Sequence, residues 1–335
     1  MVRSLIAGGY EERGARGIYP LGSAQDPVAG EPATQVLNVS SGVNLPGTSR
    51  WYFVDESASE IVLVDAAGWH ELARVPSGGT APCHLALNNT ATLLAVANYE
   101  SGTTALFQLT PDGAPVALPL VQQHVGSGPV PERQDGPHAH WVGFAASGLL
   151  YVADLGIDRV LAFDMDAASG HLGIPQDAYV APPGSGPRQL AFHPRLPIAY
   201  LVSELNSTLT VLRIEEDGAL TARQILSTLP SDAGPGSLGG AIALDAHMGR
   251  IYVSNRGHDS IATFAIGEDG EVDLLGHATS GGSSPRFLLI EAERLLVAHE
   301  KNGGVTALPL NDHGLPGAVD ARADVPGAAF LGVLT

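Results

Sequence analysis

Short apolar runs recur along the whole chain, each bounded by turn residues or by a polar cluster. The same phrase returns as SLIAGGY, WYFVDES, LLAVANYE, LLYVADLG, AYLVSELN, RIYVSNRG and LLVAHEKN. The last core aliphatic residue of each phrase is its marker, and the seven markers are Ile6, Val54, Val96, Val152, Val202, Val253 and Val297. Their spacings of 48, 42, 56, 50, 51 and 44 residues indicate seven copies of one structural repeat.

Each copy has the pattern of several short strands. A Gly- or Pro-rich turn leads into an apolar stretch, then the marker strand, a polar cluster and another alternating strand such as TTALFQL or SIATFAI. No run keeps a helical period long enough to compete with the strand pattern. Three or four strands per copy predict an all-β protein, a seven-bladed β-propeller with four-stranded antiparallel blades. Since the repeat continues through the longer loops at 25–31 and 125–136, we expect a single propeller domain over residues 1–335.

The two ends of the chain are predicted to complete one blade. The first copy has only two clear strands, and the apolar segment AAFLGVLT is left over after the seventh copy closes near Leu310. Joining strands from both termini in one sheet closes a propeller without leaving an exposed edge. We therefore expect Ala329–Leu334 to pair as a strand with the N-terminal or the last-blade sheet.

Composition narrows the functional classes. The 335 residues carry 17 basic and 35 acidic side chains, a formal charge of −18, which disfavours binding to nucleic acid or to an anionic membrane. One cysteine, Cys83, excludes an intrachain disulfide and a thiolate metal cluster, and one lysine, Lys301, makes Schiff-base chemistry a poor candidate. The N-terminal apolar stretch is too short for a signal peptide, and no window is apolar enough to span a membrane. We expect a cytoplasmic protein whose acidic hairpins, such as Pro111-Asp112-Gly113, are solvated surface.

Polar residues recur at equivalent positions of the copies. Two residues after the marker lie Glu56, Asn98, Asp154, Glu204, Asn255 and His299, and Arg256 extends this first ring by one residue. A second ring precedes the apolar stretch and comprises Cys83-His84, Ala139-His140, Arg188-Gln189 and Arg286-Phe287. Equivalent positions of a propeller converge at one end of its channel, so we expect a concentration of cationic groups there. Asn98, Asp154 and Asn255 also fit simple turn capping. A buried arginine needs an anionic partner, either Glu204 or a ligand.

Four phrases carry a family resemblance. GTAPCHLALNNTATLLAVANYESG, GPHAHWVGFAASGLLYVADLGIDRVLAFDMD, GSGPRQLAFHP and GRIYVSNRGHDSIATFAI resemble the repeats of the lactonase family of seven-bladed β-propellers. That family includes propeller-type 6-phosphogluconolactonases and fungal 3-carboxy-cis,cis-muconate lactonizing enzymes. The resemblance implies a cationic cleft containing His140 of PHxH, Arg188 of GPR, Glu204 of the following marker strand and Arg256 of SNRG. The chain departs from the family at Gln189, where a histidine is usual, and at His247, which is offset from the usual position before SNRG.

The resemblance implies hydrolysis of a small anionic sugar lactone, in the manner of a 6-phosphogluconolactonase of carbohydrate metabolism, by activated water at the channel mouth. Glu204 or His140 is the expected general base, and Arg188 and Arg256 are expected to bind the anionic substrate and the oxyanion. Further substrate-binding candidates are His84, His138, Arg286, Asn98, Asp154 and Asn255. We expect no cofactor, a lactone substrate as the partner, and a monomer or weak homo-oligomer.

Alternatives stay open at this point. A carboxymuconate lactonizing cycloisomerase would use the same residues, and a propeller that acts only as a binding module would use none of them. His138 and His140 could share a metal, but two imidazoles do not complete a site, and we expect metal-independent activity. Cys83 and His84 are poorly placed as a nucleophile and its base, because neighbours in a strand point to opposite faces. The pairs Gly239-Gly240 and Gly281-Gly282 are interpreted as turns.

Overall fold

The computed structural model describes residues 3–116, 118–166 and 171–334. Within these residues the secondary structure is strand, apart from a single turn of 3-10 helix at Glu11–Arg13. The chain folds as two compact units. The terminal unit holds the described residues of Met1–Leu37, Gln189–Ile214 and Thr221–Thr335, and the inner unit holds those of Asn38–Arg188 and Glu215–Leu220. The expectation of a single domain stays a prediction.

The inner unit contains blades 2, 3 and 4. Blade 2 consists of β3 (Gly42–Asn44), β4 (Arg50–Asp55), β5 (Glu60–Asp65) and β6 (His70–Pro76). Blade 3 consists of β7 (Pro82–Leu87), β8 (Leu93–Asn98), β9 (Thr103–Gln108) and β10 (Leu120–Gln123). Blade 4 consists of β11 (Ala139–Phe144), β12 (Leu150–Asp154), β13 (Arg159–Phe163) and β16 (Gln176–Val180). Between β13 and β16 the two-residue strands β14 (Met165–Asp166) and β15 (His171–Leu172) pair with each other.

Blades 5, 6, 7 and 1 belong to the terminal unit, except that Pro187, Arg188 and Leu220 of blade 5 fall in the inner one. Blade 5 consists of β17 (Pro187–Phe192), β18 (Ile198–Ser203), β19 (Thr208–Ile214) and β20 (Leu220–Ser227). Blade 6 consists of β21 (Leu238–Asp245), β22 (Arg250–Arg256), β23 (Ser260–Ile266) and β24 (Val272–Thr279). Blade 7 consists of β25 (Ser283–Glu291), β26 (Arg294–Asn302), β27 (Val305–Pro309) and β28 (Ala321–Ala323). Blade 1 consists of β1 (Leu5–Gly9), β2 (Tyr19–Leu21) and β29 (Ala328–Val333).

These seven sheets confirm the prediction of an all-β, seven-bladed β-propeller with antiparallel blades. Six blades have four strands and blade 1 has three. The seven marker residues of the repeat are all fully buried, each in the second strand of its blade or, for Ile6, in β1. Apolar side chains of consecutive blades pack together in continuous cores, for example those of blades 5 and 6 around Val202 and Val253. Burial of this alternating apolar face is the main source of stability for sheets of this kind.

The C-terminal strand closes blade 1, as the apolar tail predicted. β29 pairs antiparallel with β1, from Leu5 opposite Val333 to Gly9 opposite Ala328. Phe330 and Leu331 of this strand are each only 2 % exposed. β1 is therefore a central strand with a partner on both sides, and its apolar residues gain a sheet neighbour that the N-terminal segment alone does not supply.

Four blades carry the same tyrosine contact, which we call the tyrosine latch. A fully buried tyrosine of the marker strand donates its hydroxyl hydrogen bond to a glycine carbonyl in the hairpin of the next blade. The pairs are Tyr52 with Gly113, Tyr151 with Gly218 at 2.7 Å, Tyr200 with Gly270 at 2.9 Å and Tyr252 with Gly314 at 2.7 Å. The acidic hairpins are thus more than solvated surface, since their backbone joins consecutive blades.

The pair Gly239-Gly240 lies inside β21 and not in a turn, which corrects the sequence interpretation. A β-carbon on Gly239 would meet the Ser203 carbonyl oxygen at 2.6 Å, and one on Gly240 would meet the Ser254 hydroxyl at 2.3 Å. Close approach of neighbouring backbone therefore explains both glycines. Gly281 does have the positive φ of a turn residue, at 86°.

Candidate functional site

Tyr99 joins the two histidines of the PHxH phrase in the inner unit. The His138 ring stacks on the Tyr99 ring with centroids 4.5 Å apart, and the His140 ring meets it edge-on at 5.5 Å. His138 Nδ1 lies 3.0 Å from the Tyr99 carbonyl oxygen, so this nitrogen carries the proton and donates it. Arg133 Nη2 donates to the Tyr99 hydroxyl at 3.3 Å. The buried His140 is thereby held against an aromatic wall.

His84 on β7 is a neutral neighbour of Arg188 on β17. Burial lowers the pKa of His84 to about 3, and the positive charge of the Arg188 guanidinium adds to the shift. His84 Nδ1 faces the Val142 N–H at 3.5 Å, and its ring lies 5.6 Å from Trp141. His84 therefore contributes no positive charge at neutral pH, which corrects the expectation that the histidines of the second ring add to a cationic cleft. The buried Arg188 supplies that charge in the inner unit.

Asn98 and Asp154 are fully buried and hold backbone and neighbouring side chains. Asn98 Nδ2 donates to Thr103 Oγ1 at 3.2 Å. Asp154 Oδ1 accepts from the His138 N–H at 2.8 Å, and Asp154 Oδ2 accepts from His124 Nδ1 at 2.6 Å. Substrate contact by these two side chains stays a prediction, and the geometry favours the structural role that turn capping describes. Asp154 fixes the backbone just before His140.

Glu204 and Arg256 form a buried ion pair in the terminal unit. Arg256 Nη2 lies 2.5 Å from Glu204 Oε2, and the two residues are 8 % and 2 % exposed. Arg256 Nη2 also donates to the Gly239 carbonyl at 3.2 Å, while the Gly239 N–H donates to the Glu204 carbonyl at 2.8 Å. Arg256 Nε is buried and has no hydrogen-bond partner among the described residues. The sequence left Glu204 or a ligand open as the anionic partner of an arginine, and the structure shows Glu204 paired with Arg256.

Arg286, the counterpart of Arg188 in the last blade, has a carboxylate of its own. Arg286 Nη1 lies 3.0 Å from Glu300 Oε2, and its guanidinium lies 5.1 Å from the centre of the Tyr10 ring. Ser284 Oγ donates to Glu300 Oε1 at 2.6 Å. The charge of Arg286 is matched within its own blade, and its contact with substrate stays a prediction.

Asn255 and His299 have the buried, locally bonded character of Asn98. Asn255 Nδ2 donates to the Thr228 carbonyl at 2.8 Å, and Asn255 Oδ1 accepts from Thr228 Oγ1 at 2.6 Å. Burial lowers the pKa of His299 to about 4, so this fully buried ring is neutral. A structural role for Asn255 is favoured here too, and its predicted contact with substrate stays a prediction.

The structure brings the predicted residues together within each unit. His84, His138, His140 and Arg188 belong to the inner unit, and Glu204, Arg256 and Arg286 belong to the terminal one. Cys83 Sγ approaches the carbonyl oxygens of Ala139 and His140 at 3.5 and 3.4 Å, which gives the thiol a donor role against β11. In the part of the chain that is described, no group of three or more His, Cys, Asp or Glu side chains has the arrangement of a metal site.

Sequence reasoning missed Tyr99, Glu300 and His124. Tyr99 and Glu300 lie three residues after their markers, the position that Arg256 occupies in its own copy. Their shared position with Arg256 could have indicated from the sequence that Tyr99 and Glu300 belong to the candidate site. His124 lies outside the repeat phrases, and only its bond to Asp154, 30 residues away, reveals it. The inner unit offers imidazoles and the Arg188 guanidinium, and the terminal unit offers the Glu204 carboxylate and the Arg256 guanidinium; groups of these types bind anions and move protons.

Comparisons with known proteins identify the family of the chain. The family described as Lactonase, 7-bladed beta-propeller, matches residues 4–332. The 6-phosphogluconolactonase of Bacillus subtilis (strain 168) is 33 % identical over 258 residues, which cover 76 % of this chain and 70 % of that protein.

Two solved structures show the same fold. A protein from Lactobacillus plantarum has a TM-score of 0.91 at 27 % identity and covers all of both chains. The periplasmic gluconolactonase of Pseudomonas aeruginosa has a TM-score of 0.91 at 23 % identity, over 100 % of this chain and 99 % of its own. Among the described residues, no helix is long and apolar enough to cross a membrane.

Proposed function

Because the chain belongs to the lactonase family of seven-bladed β-propellers, we propose that it hydrolyses a small anionic sugar lactone. The first substrate to test is 6-phosphogluconolactone, since a relative with 33 % identity is a 6-phosphogluconolactonase. The family supports a hydrolase; the choice of substrate and the roles of individual residues are our proposal. Neither a cycloisomerase nor a binding module is favoured by these relatives.

The buried Arg256 carries the proposal. A guanidinium donor that is buried without a partner is costly, typically by about 1–3 kcal/mol, and charged donors are at the upper end. Arg256 Nε is such a donor, although the same side chain is fixed through Nη2 by Glu204 and Gly239. We interpret Nε as a donor kept for an oxygen of the anionic substrate or of the oxyanion. Arg188 provides the corresponding positive charge in the inner unit.

His140 is our candidate for the general base. The Glu204 carboxylate is already paired with Arg256 at 2.5 Å, so its oxygen is occupied by a guanidinium donor and is less available to accept a proton from water. Imidazole is the side chain whose chemistry suits proton transfer near neutral pH, and Tyr99 meets the His140 ring edge-on. In this assignment Glu204 holds Arg256 in place, and His138 supports His140 through the shared Tyr99 ring.

The reaction balances with these groups. His140 takes a proton from water as the water oxygen bonds to the lactone carbonyl carbon. The carbonyl oxygen becomes an oxyanion, which a guanidinium stabilises. The tetrahedral intermediate then collapses, the ring C–O bond breaks, and the leaving alkoxide takes the proton back from His140. The product is the open-chain hydroxy acid, and no oxidant, reductant or cofactor is required.

Turnover assays on three lactones test the proposal. We expect hydrolysis of 6-phosphogluconolactone to exceed that of unphosphorylated gluconolactone, because the phosphate adds charge for the arginines to bind. The third lactone is carboxymuconolactone, and preference for it would favour the cycloisomerase instead. No turnover of any of the three would favour a binding module.

Substitutions test the residues. We expect His140→Gln, Arg188→Lys and Arg256→Lys each to lower kcat/KM by about 10²–10³-fold, the range for losing one oxyanion donor or the base. Arg294→Lys is the matched control, because Arg294 also pairs with a carboxylate, that of Asp320. Arg294 begins the second strand of blade 7, whereas Arg256 ends the second strand of blade 6. Near wild-type rates for all three site variants would place the site elsewhere.

We also propose a cytoplasmic location and a monomer or weak homo-oligomer. The Bacillus subtilis relative supports a role in sugar-phosphate chemistry, whereas the Pseudomonas aeruginosa structure is of a periplasmic protein. Cell fractionation and light scattering on the purified protein test the two points separately. A stable oligomer at micromolar concentration, or recovery in the periplasm, would overturn the respective proposal.

A further inference from the structure

Asp158 holds three N–H donors on one buried carboxylate. Its Oδ2 accepts from the Gly184 N–H at 2.7 Å, and its Oδ1 accepts from the Gly186 N–H at 2.9 Å and from Gln134 Nε2 at 2.8 Å. Asp158 is only 4 % exposed and has a left-handed φ of 52°. Charge-assisted bonds of this kind are about twice as strong as neutral ones. The carboxylate therefore fixes the segment at 184–186 firmly.

That segment leads directly to Arg188. Gly184 and Gly186 both have positive φ, at 78° and 65°, which lets their N–H groups face the same carboxylate. Pro187 follows with its ring-restricted φ, and Arg188 is the next residue. The chain between the anchored Gly186 N–H and the Arg188 side chain thus has little freedom. A displaced segment would carry the guanidinium with it.

We propose that Asp158 is a positioning residue for Arg188 in the lactonase reaction. This inference rests on the proposed function, because it matters only if Arg188 binds substrate or oxyanion. Asp158 acts through the backbone at 184–186 and not by contact with the reacting atoms. Its carboxylate sets where the Arg188 guanidinium lies, and Gln134 fixes the carboxylate in turn through its bond to the Leu155 carbonyl at 2.8 Å.

A similar device occurs a second time, at Asp259. Asp259 follows its marker by six residues, as Asp158 does, and has a φ of 58°. Its Oδ1 accepts from the Ser284 N–H at 2.7 Å and from the Gly257 N–H at 3.1 Å, and its Oδ2 accepts from Ser283 Oγ at 3.1 Å. Asp259 therefore also holds the backbone next to Arg256. Ser284 precedes Arg286 by two residues, just as Gly186 precedes Arg188. Arg286 differs because Glu300 matches its charge.

Asp158→Asn is the sharpest test. All three recorded partners of the Asp158 carboxylate are donors, so the amide NH₂ of asparagine would face a donor. We expect kcat/KM to fall by about 10- to 100-fold, the usual effect of displacing a binding group by a fraction of an ångström. Asp245→Asn is the control, because its carboxylate also accepts two backbone N–H groups, those of His247 and Met248 in the hairpin between β21 and β22, and we expect it to change kcat/KM by less than about twofold. Equal losses of activity in both variants would overturn the inference.

A double-mutant cycle separates positioning from general loss of structure. If Asp158 acts through Arg188, Asp158→Asn in an Arg188→Lys background lowers kcat/KM by much less than it does alone. A full, independent effect in that background would overturn the inference and leave the role of Arg188 intact. An Arg188→Lys variant with wild-type activity would instead refute the use of Arg188 in the proposed function, and the inference with it.

A second variant keeps the test usable if Asp158→Asn folds poorly. Directly before the third strand, where Asp158 precedes β13, blades 2 and 5 hold a left-handed serine: Ser59 before β5 with a φ of 60°, and Ser207 before β19 with a φ of 50°. Asp158→Ser therefore places a residue that this repeat tolerates and removes the carboxylate. We expect the same cycle with Arg188→Lys to be non-additive, and additive effects would refute the positioning role.

Discussion

Removing one hydroxyl from a tyrosine latch is expected to destabilise the fold measurably. Tyr151 is fully buried in β12, and its hydroxyl donates to the Gly218 carbonyl at 2.7 Å. Tyr151→Phe keeps the ring and its packing but leaves that buried carbonyl without the bond. A lost hydrogen bond of this kind costs about 1–3 kcal/mol of unfolding free energy. With an unfolding entropy of roughly 0.7 kcal/mol/K for a chain of this length, the melting temperature should fall by about 1–4 °C.

The tyrosine latches also make the stability of the fold depend on pH in the alkaline range. Burial raises the pKa of Tyr52 and of Tyr151 to about 12, and it raises the pKa of Tyr200 and of Tyr252 as well. These groups keep their protons in the folded state where the unfolded chain has lost them. Their contribution to stability is therefore complete below about pH 10 and is lost as the pH rises toward 12.

The slope of that loss can be worked out. Each tyrosine that titrates only on unfolding lowers the free energy of unfolding by about 1.4 kcal/mol per pH unit. Four latches together give a slope of about 5 kcal/mol per pH unit. Lysines, which titrate in the same range, barely interfere because the chain has one. Tyr151→Phe should reduce the slope by about a quarter.

Urea unfolding at pH 8 and at several values between 10 and 11.5 measures both effects. Tyr179→Phe is the control at pH 8, because the Tyr179 hydroxyl makes no hydrogen bond within the described residues. We expect Tyr151→Phe to lose stability at pH 8 and the gap to wild type to narrow at high pH. Equal stability of Tyr151→Phe and wild type at pH 8, with unchanged slopes, would refute the latch.

Three further outcomes are expected. Turnover should survive EDTA, because each cluster holds a guanidinium whose fixed positive charge disfavours a divalent cation beside it, and loss of activity restored by added metal would contradict this. Deleting residues 327–335 should lower the melting temperature by about 5–10 °C, because β1 loses its partner and the buried Phe330 and Leu331 are removed; a truncated protein that melts like the full chain would disprove the closure. The unfolding free energy of His299→Asn relative to wild type should rise by about 2 kcal/mol when the pH is lowered from 8 to 5. A buried histidine with a lowered pKa loses its contribution to stability as the pH falls from 6.5 toward 4, whereas asparagine does not titrate. Identical acid profiles of the two proteins in urea unfolding would argue against this.

The repeat was sufficient to predict the blades, because the apolar marker residue is buried in every copy. Every marker residue is fully buried, and the apolar C-terminal segment pairs with β1 as strand β29. These features depend only on alternation and on hydrophobic content, which the sequence displays directly. The pair Gly239-Gly240 was misinterpreted because the need for it lies in Ser203 and Ser254, outside the local pattern.

Side-chain partners were harder to predict, because they depend on turns that bring distant residues together. The bond between Asp158 and Gly186 requires three left-handed residues, at positions 158, 184 and 186. Only glycine among them announces that conformation in the sequence. The neutral state of His84 likewise follows from its burial beside Arg188, and neither residue signals it alone.

At one position of the repeat, the side chains of different blades make different contacts. Three residues after the marker, Arg256 reaches back to Glu204 of the preceding blade, whereas Glu300 reaches Arg286 within its own blade. Tyr99, at the same position of blade 3, stacks on His138. Glu300 leaves its arginine paired within the blade, but Arg256 has a buried Nε that finds no partner in the described part of the chain. The repeat therefore determines the backbone position of these side chains. The partner residue of each side chain determines whether it keeps a hydrogen-bond donor for a substrate oxygen.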